Sequence, residues 1–167
     1  MLLDFNMKKL NVLLYKMLNN IPLTKILMVW LLLLTGLFAK AQETTLVAVG
    51  NPASAPSDMK LTELKAILLG EKQRWKNGNR IIIALMKTNT TIGKNTSARM
   101  YDMTGDQLNK YWLALVFQGK AQAPNFFNTT NDLENFVAQT QGAIGIVDKP
   151  IVDGELKSIM VNGQKTF

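Results

Sequence analysis

Apolar and polar positions fall in blocks along this chain, and the period within the blocks changes. Leu46-Val47-Ala48-Val49 follows a polar Gln42-Glu43-Thr44-Thr45 and stops at Gly50-Asn51-Pro52. So short an apolar run, closed by turn formers, predicts a buried strand, and the Pro/Ser/Ala stretch through Ser57 predicts a loop. Leu64, Ile67 and Leu68 then fall at i, i+3, i+4. That spacing predicts a short helix with Thr62 as N-cap, Leu61 as a staple and Gly70 at the left-handed C′ position. Asn77-Gly78 marks a turn into Arg80–Met86, where three consecutive isoleucines predict a strand buried on both faces, as in a parallel sheet covered by helices. The polar stretch Lys87 to Ser97 reads as a loop feeding a short helix around Ala98 to Met103.

Helical periodicity is clearest beyond this point. Thr104 and Gln107 have capping-box spacing, and Leu108, Tyr111, Trp112, Leu115 and Val116 form a 3.6-residue stripe up to Gly119. A further helix is predicted from Asn131, with Glu134 three residues on, Leu133, Phe136 and Val137 on one face, and Gly142 as its stop. Ala143 to Val147 reads as another buried strand. Asp153-Gly154 turns the chain into a last strand, Leu156 to Val161, before Asn162-Gly163. Strands alternating with helices predict an α/β fold, one compact layered domain.

The N-terminal pattern is different in kind. Lys8, Lys9, Lys16 and Lys25 precede an apolar core from Ile26 to Phe38, and Ala39-Lys40-Ala41 has the small-residue spacing of a cleavage site. Residues 1–41 therefore read as a signal peptide, and the run falls short of the roughly 20 apolar residues of a membrane span. A start at Met17 would give a leader of ordinary length. Removal after Ala41 leaves residues 42–167 as the mature domain, periplasmic or secreted.

That division changes the meaning of the charge. The 167-residue chain carries a formal net charge of +7, yet five of its basic residues and one acidic residue lie in the leader, so the mature part is only +3. With no Lys/Arg cluster interleaved with aromatics, no nucleic-acid partner is expected. Cysteine and histidine are both absent, which removes disulfides, thiol nucleophiles, Ser-His pairs and the usual zinc sites. No cofactor and no metal are expected. The acids Asp102, Asp106, Asp132, Glu134, Asp148 and Asp153 are scattered over caps and turns, so no enzyme is expected.

The ordered set Asn51-Pro52, Leu61-Thr62-Glu63-Leu64, Ile67-Leu68-Leu69-Gly70, Trp75-Lys76-Asn77-Gly78, Tyr111-Trp112 to Phe117-Gln118-Gly119, Pro124 and Gly142 to Val147 resembles phosphate ABC-transporter substrate-binding proteins. The resemblance covers about residues 46–161. It implies a lobe of a type 2 periplasmic binding protein. Full-length members have two lobes that close on a ligand; a mature chain of 126 residues is the size of one. In the family an Arg and a Ser-Gly-Thr run open a helix after the strand equivalent to Arg80–Met86. Here that place holds Lys87 to Arg99, rich in hydroxyls and amides but without the Ser-Gly-Thr order.

The resemblance thus implies non-covalent binding of a small oxyanion, phosphate first, for uptake. Its candidate ligands are Thr90, Thr91, Lys94, Thr96, Ser97 and Arg99, with the strand-end loops near Asn51 and Gly145 completing the site. Helix N-terminal amides and hydroxyls are suited to such anions. Each residue also has a plainer reading: Thr96 and Ser97 as N-caps, Lys94 and Arg99 as solvated helix positions, Asn51 as a turn. Tyr111 and Trp112 read as core, and Trp75 as a lid over the sheet edge. The rival function is an interaction module that has lost anion binding and engages an envelope membrane protein or transporter.

Overall fold

One strand runs against all the others. The computed structural model describes residues 45–149, 151 and 155–167, together with positions 12, 13, 15 and 22. Apart from those four positions, the segment predicted to be a signal peptide lies outside the described residues, as do its expected Ala41 cleavage site and the Asp153-Gly154 turn. The chain divides into units Met1–Gln42 and Glu43–Phe167, and the second holds everything that follows.

Its elements are β1 (Val47–Gly50), β2 (Asp58–Met59), α1 (Leu61–Leu68), β3 (Ile82–Met86), α2 (Thr91–Tyr101), α3 (Gly105–Phe117), β4 (Asn125–Phe127), α4 (Thr130–Gln139), β5 (Ala143–Val147) and β6 (Lys157–Val161). The sheet order is β2-β6-β1-β5-β3-β4. β3 pairs in parallel with β4 and β5, and β2 with β6, whereas β1 is antiparallel to both of its neighbours. The isoleucine-rich strand thus sits in parallel surroundings as predicted, but the sheet as a whole is mixed. β2 and β4, two and three residues long, were not predicted. They are the sheet edges, where few residues are needed and little apolar signal is left.

Alternation along the strands builds two apolar layers. Leu46, Ala48, Ile83, Leu85, Ile144 and Ile146 face α1, α3 and the end of α2. Val47, Val49, Ala84, Met86 and Val147 face Leu133 and Val137 of α4. The unit is therefore a three-layer α/β domain whose sheet and both cores lie within residues 43–167, so it carries what it needs to fold.

Several local expectations change. The cap of α1 is not Thr62: the helix already begins at Leu61, and its N-cap Lys60 offers no side-chain bond. Asn162 replaces the cap from across the sheet, its Oδ1 accepting from the Leu61 amide at 3.0 Å. Gly70 and Gly119 do stop α1 and α3 at positive φ, each inside a Schellman pair: Gly70 N to Ile67 O with Glu71 N to Ala66 O, and Gly119 N to Val116 O with Lys120 N to Leu115 O. The α3 stripe is narrower than its period suggested. Leu108 and Trp112 are buried and Tyr111 and Leu115 half-buried, but Val116 is 43% exposed. Trp75 is buried in the core rather than lying over an edge, its indole N–H donating to the Gly142 carbonyl at 3.0 Å.

Candidate functional site

β3 delivers the chain to a tight corner. The Lys87 amide extends the β3–β4 pairing by donating to Phe127 O at 2.8 Å. Three residues on, Thr90 closes the turn: its amide and its hydroxyl both donate to Lys87 O, at 2.9 and 2.8 Å, and its Oγ1 accepts from the Gly93 amide at 3.0 Å. The corner leaves no room for a side chain at Gly93, where a Cβ would stand 2.0 Å from Lys87 O. Helix α2 therefore starts at Thr91, earlier than the helix predicted around Ala98 to Met103. The N-cap expectation moves with it, from Thr96 and Ser97 to Thr90.

A second helix start is folded onto the first. Helix α2 ends at Asp102 in the left-handed region, φ 53°, with its amide on Ser97 O. Ser97 Oγ donates to Met103 O at 2.8 Å and holds the corner. Thr104 and Gln107 then form the predicted capping box and open α3. Gly105, the first residue of α3, packs so closely on the β3–α2 loop that a Cβ there would lie 2.7 Å from Thr88 Cβ. Asn109 Nδ2 donates to Thr88 Oγ1 at 3.3 Å. The start of α3 thus packs on Thr88, in the loop that leads into α2, beside an open groove of about 750 Å³ whose walls run from Thr88 and Asn89 past Lys94 to Asp102 at the C-terminal end of α2, and include Gly105 and Asp106.

The candidate residues scatter over this geometry. Thr90, Thr91 and Lys94 occupy the first turns of α2, with Lys94 on the groove wall and Thr91 exposed. The Thr90 hydroxyl is committed to capping its own helix. Thr96 and Ser97 are buried mid-helix, and Arg99 lies exposed in the last turn. Asn51 is separated from them all. Because β1 is reversed, its C-terminal end lies level with the start of β3: the Asn51 amide bonds Ala143 O, and Ala143 pairs with Ile82. Lys87 is five residues farther along, about 16 Å at strand rise. The Asn51 carboxamide is also fully used, donating to Val137 O and Ala138 O at 3.1 and 2.8 Å and accepting from Ala53 N and Ser54 Oγ. Gly145 is no loop residue but lies mid-strand under α4, where a Cβ would meet Leu133 Cδ2 at 2.7 Å.

Thr88 and Asn89 belong to the stretch from Thr88 to Arg99 expected to supply donors, whereas Gly105 went unrecognised as a groove residue. The sequence signal for the second N-terminus was present in the Thr104/Gln107 capping box, but nothing in its spacing tells that it folds back onto Thr88.

The groove is electrostatically mixed. Partial positive charge at two helix starts and the Lys94 ammonium favour an anion, while Asp102 and Asp106 oppose it. Asp102 is partly offset by Lys65 at 3.8 Å. Of the phenols behind the helices, burial pushes the Tyr101 hydroxyl far above its usual range, and burial also raises that of Tyr111, which donates to Leu69 O at 2.7 Å.

No protein-family model matches the sequence, and no curated protein does. The fold, by contrast, matches solved structures. An ABC-type phosphate transport receptor from Vibrio cholerae aligns with a TM-score of 0.58 at 15% identity, over 74% of this chain and 48% of its own. PstS from Borrelia burgdorferi aligns with a TM-score of 0.52 at 20% identity, over 72% of this chain and 48% of its own. The chain spans about half the length of the structures it matches. Its fold is that of one lobe of these phosphate-transport proteins.

Proposed function

We propose that residues 43–167 form a non-catalytic solute-binding domain that takes a small oxyanion, phosphate first, in the groove between the starts of α2 and α3. The observation that carries this reading is the packing of the α3 start on Thr88, in the loop between β3 and the Thr90 cap of α2. Backbone amides there are aligned donors for anion oxygens, and Lys94 adds a mobile charge. The likeness of the fold to phosphate-transport proteins supports the same ligand class. Exposed on an open surface, the site binds weakly and loses affinity with added salt. In this reading residues 1–41 are an export leader, and the domain acts in the periplasm or outside the cell in uptake. Among the described residues no helix is long and apolar enough to cross a membrane.

The rival, an envelope interaction module without anion binding, draws on one specific observation: two carboxylates, Asp102 and Asp106, stand on the same groove wall. Calorimetry with phosphate and sulfate on residues 43–167 separates the two. Under the oxyanion reading Lys94→Ala weakens phosphate binding several-fold, and Asp106→Asn, which removes a repelling charge without changing shape, tightens it. A folded domain that gives no heat with millimolar phosphate, in the wild type and in Asp106→Asn alike, refutes the oxyanion reading.

A further inference from the structure

The groove is far larger than a single oxyanion needs. Liquid water allots about 30 Å³ to a molecule, so 750 Å³ corresponds to about 25 waters, many times what one such ion displaces. Clefts of about 300–1,000 Å³ hold small organic molecules. The charge on its walls is also divided rather than uniform. Lys94, Ala98 and Asp102 stand at i, i+4, i+8 along one side of α2 and its C-cap, all on the groove wall. The backbone positions that carry the ammonium and the carboxylate are eight residues apart, about 12 Å at helix rise. Ala98 lies between them, and with Met103 it forms the apolar part of the wall.

The uncommitted polar groups follow the same division. Toward the start of α2, neither the Asn89 carboxamide nor the Lys94 ammonium has a partner among the described residues. At the other end the Asp102 side chain is 85% exposed and holds only the 3.8 Å contact with Lys65. On the α3 side, the Asp106 carboxylate has no bond or ion pair among the described residues. A bare oxyanion is repelled by these two acids. A hydroxyl is not: it carries no charge and donates to a carboxylate in a strong, charge-assisted bond. The walls therefore match a ligand that is anionic at one end and bears hydroxyls at the other, with C–H faces against Ala98 and Met103. They do not match a nucleotide base, because no aromatic side chain among the described residues lines the groove to stack on it.

Resting on the oxyanion reading of this groove, we infer that its ligand is a phosphorylated polyol of the sugar-phosphate class. The phosphate lies at the Asn89 and Lys94 end, and the hydroxyls donate to the Asp102 and Asp106 carboxylates.

Calorimetry on residues 43–167 with glucose 6-phosphate, inorganic phosphate and glucose tests this, with circular dichroism to confirm folding of every variant. Glucose 6-phosphate should bind about tenfold more tightly than phosphate, and glucose alone should give no heat at the same concentrations. Asp102→Gly should bring glucose 6-phosphate to within about twofold of phosphate. It removes the acceptor at a left-handed position, φ 53°, that glycine adopts without strain. Lys94→Ala should weaken both phosphorylated ligands alike. Equal affinities for the two in the wild type overturn the inference and leave the oxyanion reading in place. A folded wild type that binds neither also overturns it, and the oxyanion reading falls as well if Asp106→Asn binds neither. A tenfold preference that survives in Asp102→Gly overturns the inference, and so does glucose that binds as tightly as its phosphate.

Discussion

Asn51→Ala separates structure from ligand binding more sharply than any groove substitution. The Asn51 side chain ties the end of β1 to the end of α4. Its Nδ2 donates to Val137 O and Ala138 O, two carbonyls in the last turn of α4 that an α-helix leaves without intrahelical partners. Its Oδ1 accepts from Ala53 N and from Ser54 Oγ, and Ser54 Oγ in turn accepts from the Gly142 amide at 2.7 Å. One truncation therefore removes four hydrogen bonds at a residue only 5% exposed. At about 0.5–1.5 kcal/mol net for each of the four bonds, with cooperation in the network adding to the pairwise sum, the loss is about 3 kcal/mol or more. For a domain of this size that lowers the melting temperature by roughly 10 °C. Urea unfolding gives the free energy, and phosphate titration of the same variant gives the affinity. Stability should fall while phosphate affinity, measured where the variant is folded, stays at the wild-type value. Asn51→Asp should also destabilise near neutral pH, since a carboxylate would face two carbonyl oxygens. That environment raises the pKa of the introduced carboxyl in the folded state, so part of the loss should be regained as pH falls through it. An Asn51→Ala domain with unchanged stability and weakened phosphate binding would refute this account and return Asn51 to the binding site.

Trp112→Ala should cost about 3–5 kcal/mol in denaturant melts, because the indole is 2% exposed and packs edge-on to Tyr111 at a centroid distance of 5.7 Å. Phe117→Ala on the opposite side of the same helix should stay within about 0.5 kcal/mol, and equal costs would reverse the helix orientation. Thr96→Val should raise stability by about 1 kcal/mol, since the Thr96 hydroxyl is buried without a hydrogen-bond partner among the described residues. A loss of stability in the same melts would mean that this hydroxyl is bonded in solution.

The strands and helices were legible wherever burial imposes a period. Val47–Gly50, Ile82–Met86 and Ala143–Val147 are central strands buried almost throughout, and their apolar runs announce them. The capping box of α3 is a local bond pattern and so was visible in Thr104 and Gln107. The start of α2 was not, because its first turn is polar: Thr90, Thr91 and Asn95 read as loop residues until Gly93 is seen to be pressed against Lys87 O. The cap of α1 was misread for a related reason. Its partner, Asn162, is 101 residues away in the chain, a distance over which local spacing carries no information.

The site depended on a single bit of topology. An apolar run such as Leu46–Val49 reads the same in either direction, and a loop after it was placed with the loop after β3 on the assumption that both strands point the same way. Strand β1 is reversed, so Asn51 goes to one end of the sheet and Lys87 to the other. The polar residues left at the β3 end are then joined not by another strand-end loop but by a helix start, because Ser97 turns the chain at Met103 and sets Gly105 on Thr88. Convergence of that kind is made by backbone packing against small residues. It leaves no spacing pattern of its own, which is why Gly105 lies on the groove wall without any mark in the sequence.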